Sequence, residues 1–134
     1  MFSVMDISAS GLYAQRTRMR VIANNLANSD SFVRGADGKM APYRRQQVVF
    51  SLGSSVSTQE GVSVAKVVPD MSGFRRTYDP SHPYAGPDGY VNLPNVNPIV
   101  EMVDMMEASR AYEANVTALD ATKSILNNAL RIIA

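Results

Sequence analysis

The chain has 134 residues, 46% hydrophobic and 19% charged, with a net charge of +1. This is one domain's worth of polypeptide, apolar enough for a core and too close to neutral to carry a global field for nucleic acid or membrane. It has no cysteine, which excludes disulfides and thiolate metal sites, and no apolar run approaches the roughly 20 residues of a membrane span.

The first segment, residues 1–34, reads as helix. Met5, Leu12, Met19 and Leu26 recur every seventh position, with Ile22 between them, the spacing of a coiled-coil seam. Asp6, Ser8, Ser10 and Gln15 interrupt the N-terminal stretch, so no cleavable secretion signal is expected. Gly11 costs the helix about 1 kcal/mol relative to Ala and permits a close helix–helix approach. The end of the segment is unusual: Asn24, Asn25 and Asn28 crowd into RVIANNLANSD, although Asn competes with the helix for backbone groups. They lie off the Met5–Leu26 line, on the flanks and at the C-terminal end.

Residues 35–98 differ in kind. Prolines at 69, 80, 83, 87, 94 and 98 and glycines at 73, 86 and 89 exclude long helix or central strand. Tyr43–Phe50 and Val62–Val68 are rich in β-formers and read as strands. Gly35-Ala36-Asp37-Gly38 and Gly53-Ser54-Ser55 are loop signals. A small β element with extended loops is expected.

The last segment, residues 99–134, is a long helix. Asn97 can cap it, with Pro98 at the first helical position, and Glu101 and Asp104 complement the dipole. Positions Met102, Met105, Ser109, Tyr112, Val116, Leu119, Lys123, Leu126, Leu130 and Ile133 step by alternating threes and fours, a coiled-coil signal. Such a helix is about 54 Å long, whereas a compact globule of this chain would be roughly 35–40 Å across. It needs partners beyond its own chain. Residues 1–34 sum to +2 and residues 99–134 to −2, so the two ends are mildly complementary. The expected fold is mainly α: long N- and C-terminal helices pair as a coiled-coil-like hairpin around a small β/loop insertion.

The sequence carries little chemistry. His82, the single histidine, sits in Tyr78-Asp79-Pro80-Ser81-His82-Pro83, where two prolines splay neighbours apart instead of converging them as a triad requires. Glu107, Glu113 and Asp120 read as a solvated helix face, without the His or Cys companions of a metal site. Arg16, Arg18 and Arg20 spread around the helix and form no phosphate stripe. No catalytic, cofactor or metal site is expected, and no nucleic acid or membrane insertion. The Met-rich stretch Met102–Met106 reads as core or as adaptable interface.

Ser10-Gly11-Leu12-Tyr13-Ala14-Gln15, followed by Arg18 to Asn28, resembles the N-terminal motif of the bacterial flagellar axial proteins of rod and hook. Val103-Asp104-Met105-Met106-Glu107-Ala108-Ser109-Arg110-Ala111-Tyr112-Glu113-Ala114-Asn115 resembles their C-terminal motif. Pro42-Tyr43-Arg44-Arg45, Tyr78–Pro83 and Gly89–Pro98 resemble the short middle of proximal-rod members. The resemblance implies a structural, non-enzymatic subunit of the basal-body rod, the drive shaft crossing the periplasm. It also implies export through the flagellar type III apparatus without a cleaved signal. Implied partners are further copies, other rod proteins, the inner-membrane ring and the rod-base adaptor. The implied assembly interface is Met5, Leu12, Met19, Ile22, Asn24, Asn25, Leu26 and Asn28 on the first helix. On the second it is Met102, Met105, Tyr112, Val116, Leu119, Leu126, Leu130 and Ile133. The asparagines would satisfy backbone groups and hydrogen-bond to adjacent subunits, fixing register. Other export-linked filaments or needles share the helical logic but not the middle motifs, and a helical DNA-binding regulator would show salt-dependent binding.

Overall fold

In a computed structural model, which describes residues 2–53 and 61–133, two helices of unequal length run side by side. Helix α1 spans Phe2–Ala27 and helix α2 spans Pro98–Ile133. Between them lie six short strands: β1 (Phe32–Arg34), β2 (Met40–Pro42), β3 (Gln46–Leu52), β4 (Val62–Pro69), β5 (Arg75–Tyr78) and β6 (Tyr90–Leu93). They form three antiparallel pairs, β1–β2, β3–β4 and β5–β6. The pair of terminal helices with small strand pairs between them agrees with the sequence reading, although the middle is richer in strand than expected. Ser54 and Ser55 of the expected second loop lie outside the described residues.

The helix ends follow local chemistry. Asn97 Oδ1 accepts from the Ile99 N–H at 3.1 Å and its carbonyl accepts from Glu101 at 3.0 Å, so Asn97 is the N-cap and Pro98 the first helical residue. At the other boundary the expected 34-residue helical segment is too long, because α1 stops at Ala27. The Asn28 amide donates to the Asn24 carbonyl at 2.8 Å. Backbone bonds Ser29 to Leu26 and Ser31 to Asn28 then close tight turns. The polar run Asn28-Ser29-Asp30 has nothing to bury and turns the chain into β1.

Two loops share one geometry. Gly35-Ala36-Asp37-Gly38 joins β1 to β2, and Gly86-Pro87-Asp88-Gly89 leads into β6. In each, the first Gly N–H donates 2.8 Å to the carbonyl of the residue after the second Gly. The Asp carboxylate accepts that same residue's N–H. Gly38 and Gly89 have φ of 78° and 76°, a region other residues enter at a cost. The second loop is where the middle folds back on itself: Tyr84 and His82 lie against Phe32, at 4.7 and 5.3 Å between ring centroids.

The β3–β4 hairpin lies along α1, its base tied to Asn25 through Gln46. Near its tip, Ser10 Oγ accepts from the Val62 N–H at 3.1 Å. The buried apolar residues are few, Pro94 among them. Ala14, Val21, Ile22 and Ala108 belong to the helices, and Val91 and Val96 to the middle. The subunit exposes 9103 Å², against about 6900 Å² for a compact folded monomer of its mass.

Candidate assembly interface

The two helices are antiparallel and locked at three points. Asn25 bonds Glu101 at 3.1 Å; Arg18 pairs with Glu107 at 3.4 Å and with Asp104 at 3.9 Å. A Cβ on Gly11 would stand 3.0 Å from the Asn115 amide nitrogen, so the expected close approach at Gly11 is real. From Gly11 to Asn25 and from Glu101 to Asn115 the intervals are equal, so the helices run in step.

The centre of the lock is Asn25, 1% exposed. Its amide donates to the Gln46 carbonyl at 2.9 Å and to Glu101 Oε2. Its carbonyl oxygen accepts from the Gln46 N–H at 2.9 Å and the Tyr43 hydroxyl at 3.1 Å. All four hydrogen-bonding capacities of the side chain are used inside the subunit. The expectation that Asn25 reaches into neighbouring subunits is therefore corrected. It fixes register, but the register of α1 against α2 and β3. Asn28 satisfies a helix-end carbonyl as expected, and Asn24 is exposed.

Glu101, fully buried, accepts from Arg45 Nε at 2.5 Å. Arg45 reaches on to Asp70 and Asp104, each at 3.4 Å, and its N–H donates to Asn95 at 2.8 Å. A buried carboxylate is tolerable only when paired and hydrogen-bonded, and here it has both. The sequence reading placed Glu101 in the first turn as a dipole partner; burial is decided by the three elements that converge on it. The Ser72 backbone N–H, with smaller contributions from the Ser72 hydroxyl and Arg45, holds the Asp70 carboxyl below its usual range. Burial, then the nearby Glu101 charge, pushes the Tyr43 phenol up.

On α2 the row turned toward α1 is shifted from the expected one. Met105, Tyr112, Leu119 and Leu126 are half-buried, as a seam requires. The alternate positions are Glu101, Ala108, Asn115, Thr122 and Ala129, one residue before the expected Met102, Ser109, Val116, Lys123 and Leu130. Helices that approach at Gly11 and Ala14 select small or hydrogen-bonding partners, which a count of apolar residues passes over. Met102, Leu130 and Ile133 are exposed and Val116 is half-buried. On α1, Met5, Leu12, Met19 and Leu26 are half-buried flanks, Ile22 is buried, and the most buried row is Ala14, Thr17, Val21 and Asn25.

The remaining candidates carry no reaction geometry. Ser81 donates its hydroxyl to Asp79 at 2.6 Å, while His82 Nδ1 accepts from the Tyr84 N–H. Among the described residues no group of three or more His, Asp or Glu side chains is placed to hold a metal ion, and no helix is long and apolar enough to cross a membrane.

Residues 5–36 match the family described as "Flagella basal body rod protein", and residues 88–132 match "Flagellar basal body rod FlgEFG protein C-terminal". The chain is 43% identical to the flagellar basal-body rod protein FlgC of Bacillus subtilis (strain 168), over 98% of this chain and 97% of the relative. The chain belongs to the FlgC family of flagellar basal-body rod proteins. It is similarly 46% identical to the FlgC of Aquifex aeolicus, over 92% of this chain and 90% of that one. The FlgC of Salmonella typhimurium is 41% identical, over 98% and 97% respectively. The chain is thus a structural rod subunit and not an enzyme. The helix-locking residues Asn25, Arg45 and Glu101 fall in or beside the motifs that carried the resemblance.

Proposed function

We propose that this rod subunit stands in the proximal part of the drive shaft crossing the periplasm and transmits torque through shared helix contacts. The carrying observation is the imbalance between buried and exposed apolar surface. Among the described residues Pro94 and six other apolar side chains are buried, while twenty-two large hydrophobic residues stand exposed. Single exposed hydrophobics are ordinary, but contiguous ones mark interaction sites.

In this reading residues 1–34 and 99–134 are the assembly segments, and residues 35–98 reach the neighbouring rod proteins, the inner-membrane ring and the rod-base adaptor. The two helices form a coiled-coil-like seam within the subunit. Met102, Leu130 and Ile133, turned outward, join the half-buried flanks Met5, Leu12 and Met19 in contacts with other chains. The chain reaches its place through the flagellar type III export apparatus without a cleaved signal.

The test is genetic and biochemical together. Expression of the tagged chain in a motile bacterium lacking its own FlgC should restore swimming, and the tag should copurify with basal bodies. A full-length chain that accumulates in the cell and leaves basal bodies rodless would sink the reading. Limited proteolysis of the dilute chain adds a second check, with faster cleavage expected at residues 125–133 than at the Asn25–Glu101 lock.

A further inference from the structure

The middle region holds a cleft of about 390 Å³, within the size range of small-ligand sites. Two of the three strand pairs wall it, each with one face. Directly paired residues, and residues two apart along a strand, share a face of a ribbon. The β1–β2 ribbon therefore presents Phe32, Pro42 and Met40 together. The β5–β6 ribbon presents Arg76, Asn92 and Tyr90, while its opposite face turns the buried Val91 into the core. Tyr84 and Gly86, from the loop before β6, complete the lining.

The cleft is aromatic and polar at once. The Phe32 and Tyr84 rings lie 4.7 Å apart between centroids, and the Arg76 guanidinium lies 4.4 Å from the centre of the Tyr90 ring. Tyr84 and Tyr90 remain 46% and 42% exposed, so both rings have surface left to offer. Only Arg76 and Asp88 among the lining residues are charged, since Arg34, on the same face of β1, is not part of the lining. Arg76 donates to Asp88 Oδ2, and Asp88 Oδ1 accepts from the Tyr90 N–H at 3.3 Å. The pair cancels its own charge and offers no net field to a phosphate, a carboxylate or a cation. Hydrogen-bonding capacity remains, because a guanidinium has five N–H donors and a carboxylate about four lone-pair sites. The exposed Asn92 adds an amide donor beside an acceptor. Gly86 makes room for this arrangement: a Cβ there would stand 2.8 Å from Asp88 Oδ1.

We propose that this cleft binds a neutral saccharide, with one sugar ring lying against its aromatic walls. The carbon-bound hydrogens on the flat side of a pyranose meet the negative faces of Tyr84 and Tyr90. Its hydroxyls, or an acetamido group, pair with Arg76, Asp88 and Asn92, whose planar ends set donors beside acceptors. A charged ligand would have to break the Arg76–Asp88 pair, and a purely apolar one would cover polar groups without pairing them. The molecule supplies its own control. The Gly35–Gly38 loop repeats the backbone hydrogen bonds of the Gly86–Gly89 loop, but its Asp37 lies outside the cleft.

The test is a titration of the isotopically labelled full-length chain with chitotriose and with cellotriose, followed through its amide resonances. Saturating shifts are expected at Phe32, Tyr84, Gly86, Tyr90 and Asn92, with half-saturation at about 1 mM. Arg76→Gln and Asn92→Ala should each weaken binding about fivefold, and Tyr84→Ala about tenfold. Asp37→Asn should leave it unchanged. Should Tyr84→Ala disturb the fold, Asn92→Ala, at an exposed position, reads the same contact. No saturation by either sugar up to about 20 mM, or unaltered affinity in Asn92→Ala and Arg76→Gln, overturns the assignment. Tighter binding of N-acetyltryptophanamide or of inorganic phosphate at the same residues also overturns it, in favour of a protein side chain or an anion. The rod reading is decided separately, by incorporation into basal bodies.

Discussion

The two ends of α2 belong to one continuous helix and are built from similar side chains, yet they behave as different materials. From Pro98 to Ala108 the helix is held by a fully buried glutamate, two arginines and an asparagine with no free capacity. From Ile125 to Ile133 it has isoleucines and leucine in solvent and no helix beside it. Helix propensity does not separate them. The surroundings do: beside α1 the inner row becomes core around Glu101 and Ala108, whereas from Ile125 onward Leu126 and Ala129 are only half-buried and Ile125, Leu130, Ile132 and Ile133 stand exposed. Polar residues with exact partners hold the subunit in register, and apolar residues without partners are left for assembly.

Substitutions at the locked end should act on the isolated subunit, and those at the Ile125–Ile133 end only on assembly. The largest effect is expected from Glu101→Leu, which leaves the Arg45 Nε–H and one Asn25 amide hydrogen without an acceptor. Breaking such a buried pair costs about 3–5 kcal/mol, read as a fall in the urea midpoint of the dilute chain. Asn25→Leu should cost about 2–3 kcal/mol through unpaired groups on Gln46, Tyr43 and Glu101. Helix content should survive while the register of α1 against α2 loosens, measurable as faster amide exchange around Gln46. Gly11→Leu wedges α1 away from Asn115 and should cost about 1–3 kcal/mol in the same unfolding assay. A midpoint unchanged by Glu101→Leu would erase the distinction between the ends.

A smaller effect is expected from pH. The Asp70 carboxyl titrates below its ordinary range in the fold, so its contribution is complete above that range and is lost as pH falls through the lowered value. The Tyr43 phenol titrates above its ordinary value, so its contribution is complete below about pH 10 and is lost as pH rises through the raised value. Urea midpoints across pH should therefore sag at both extremes, and Tyr43→Phe should remove the alkaline limb. The smallest effect on the isolated subunit belongs to Ile132→Ser, within about 0.5 kcal/mol of wild type, even though rod incorporation should fall sharply. A large loss of monomer stability would mean that this end is folded against its own chain.

The helices were legible because their signals are local. Asn97-Pro98 starts α2, and the glycine- and proline-free run to its end permits one long helix. The period of seven runs through Met105, Tyr112, Leu119 and Leu126, which are half-buried. It chose the wrong alternates because it counts apolar residues, whereas a close approach at Gly11 wants Ala108, Asn115 and Thr122. The β1–β2 and β5–β6 pairs passed unnoticed for a related reason. They are three or four residues long, and the paired Gly-x-Asp-Gly loops that set them carry no hydrophobic period. Asn25 was singled out as anomalous, and rightly so, but its partners lie up to 76 residues away in the chain.

By itself, then, the sequence determined the existence of both helices, the start and length of α2, the turn-rich middle between them and the family, since each rests on local propensity, capping or an ordered motif. Only the tertiary structure decided which face of each helix is core. It also set the ion cluster that locks them. Those depend on distances between residues far apart in the chain, and a burial preference at one position says nothing about what will stand opposite it.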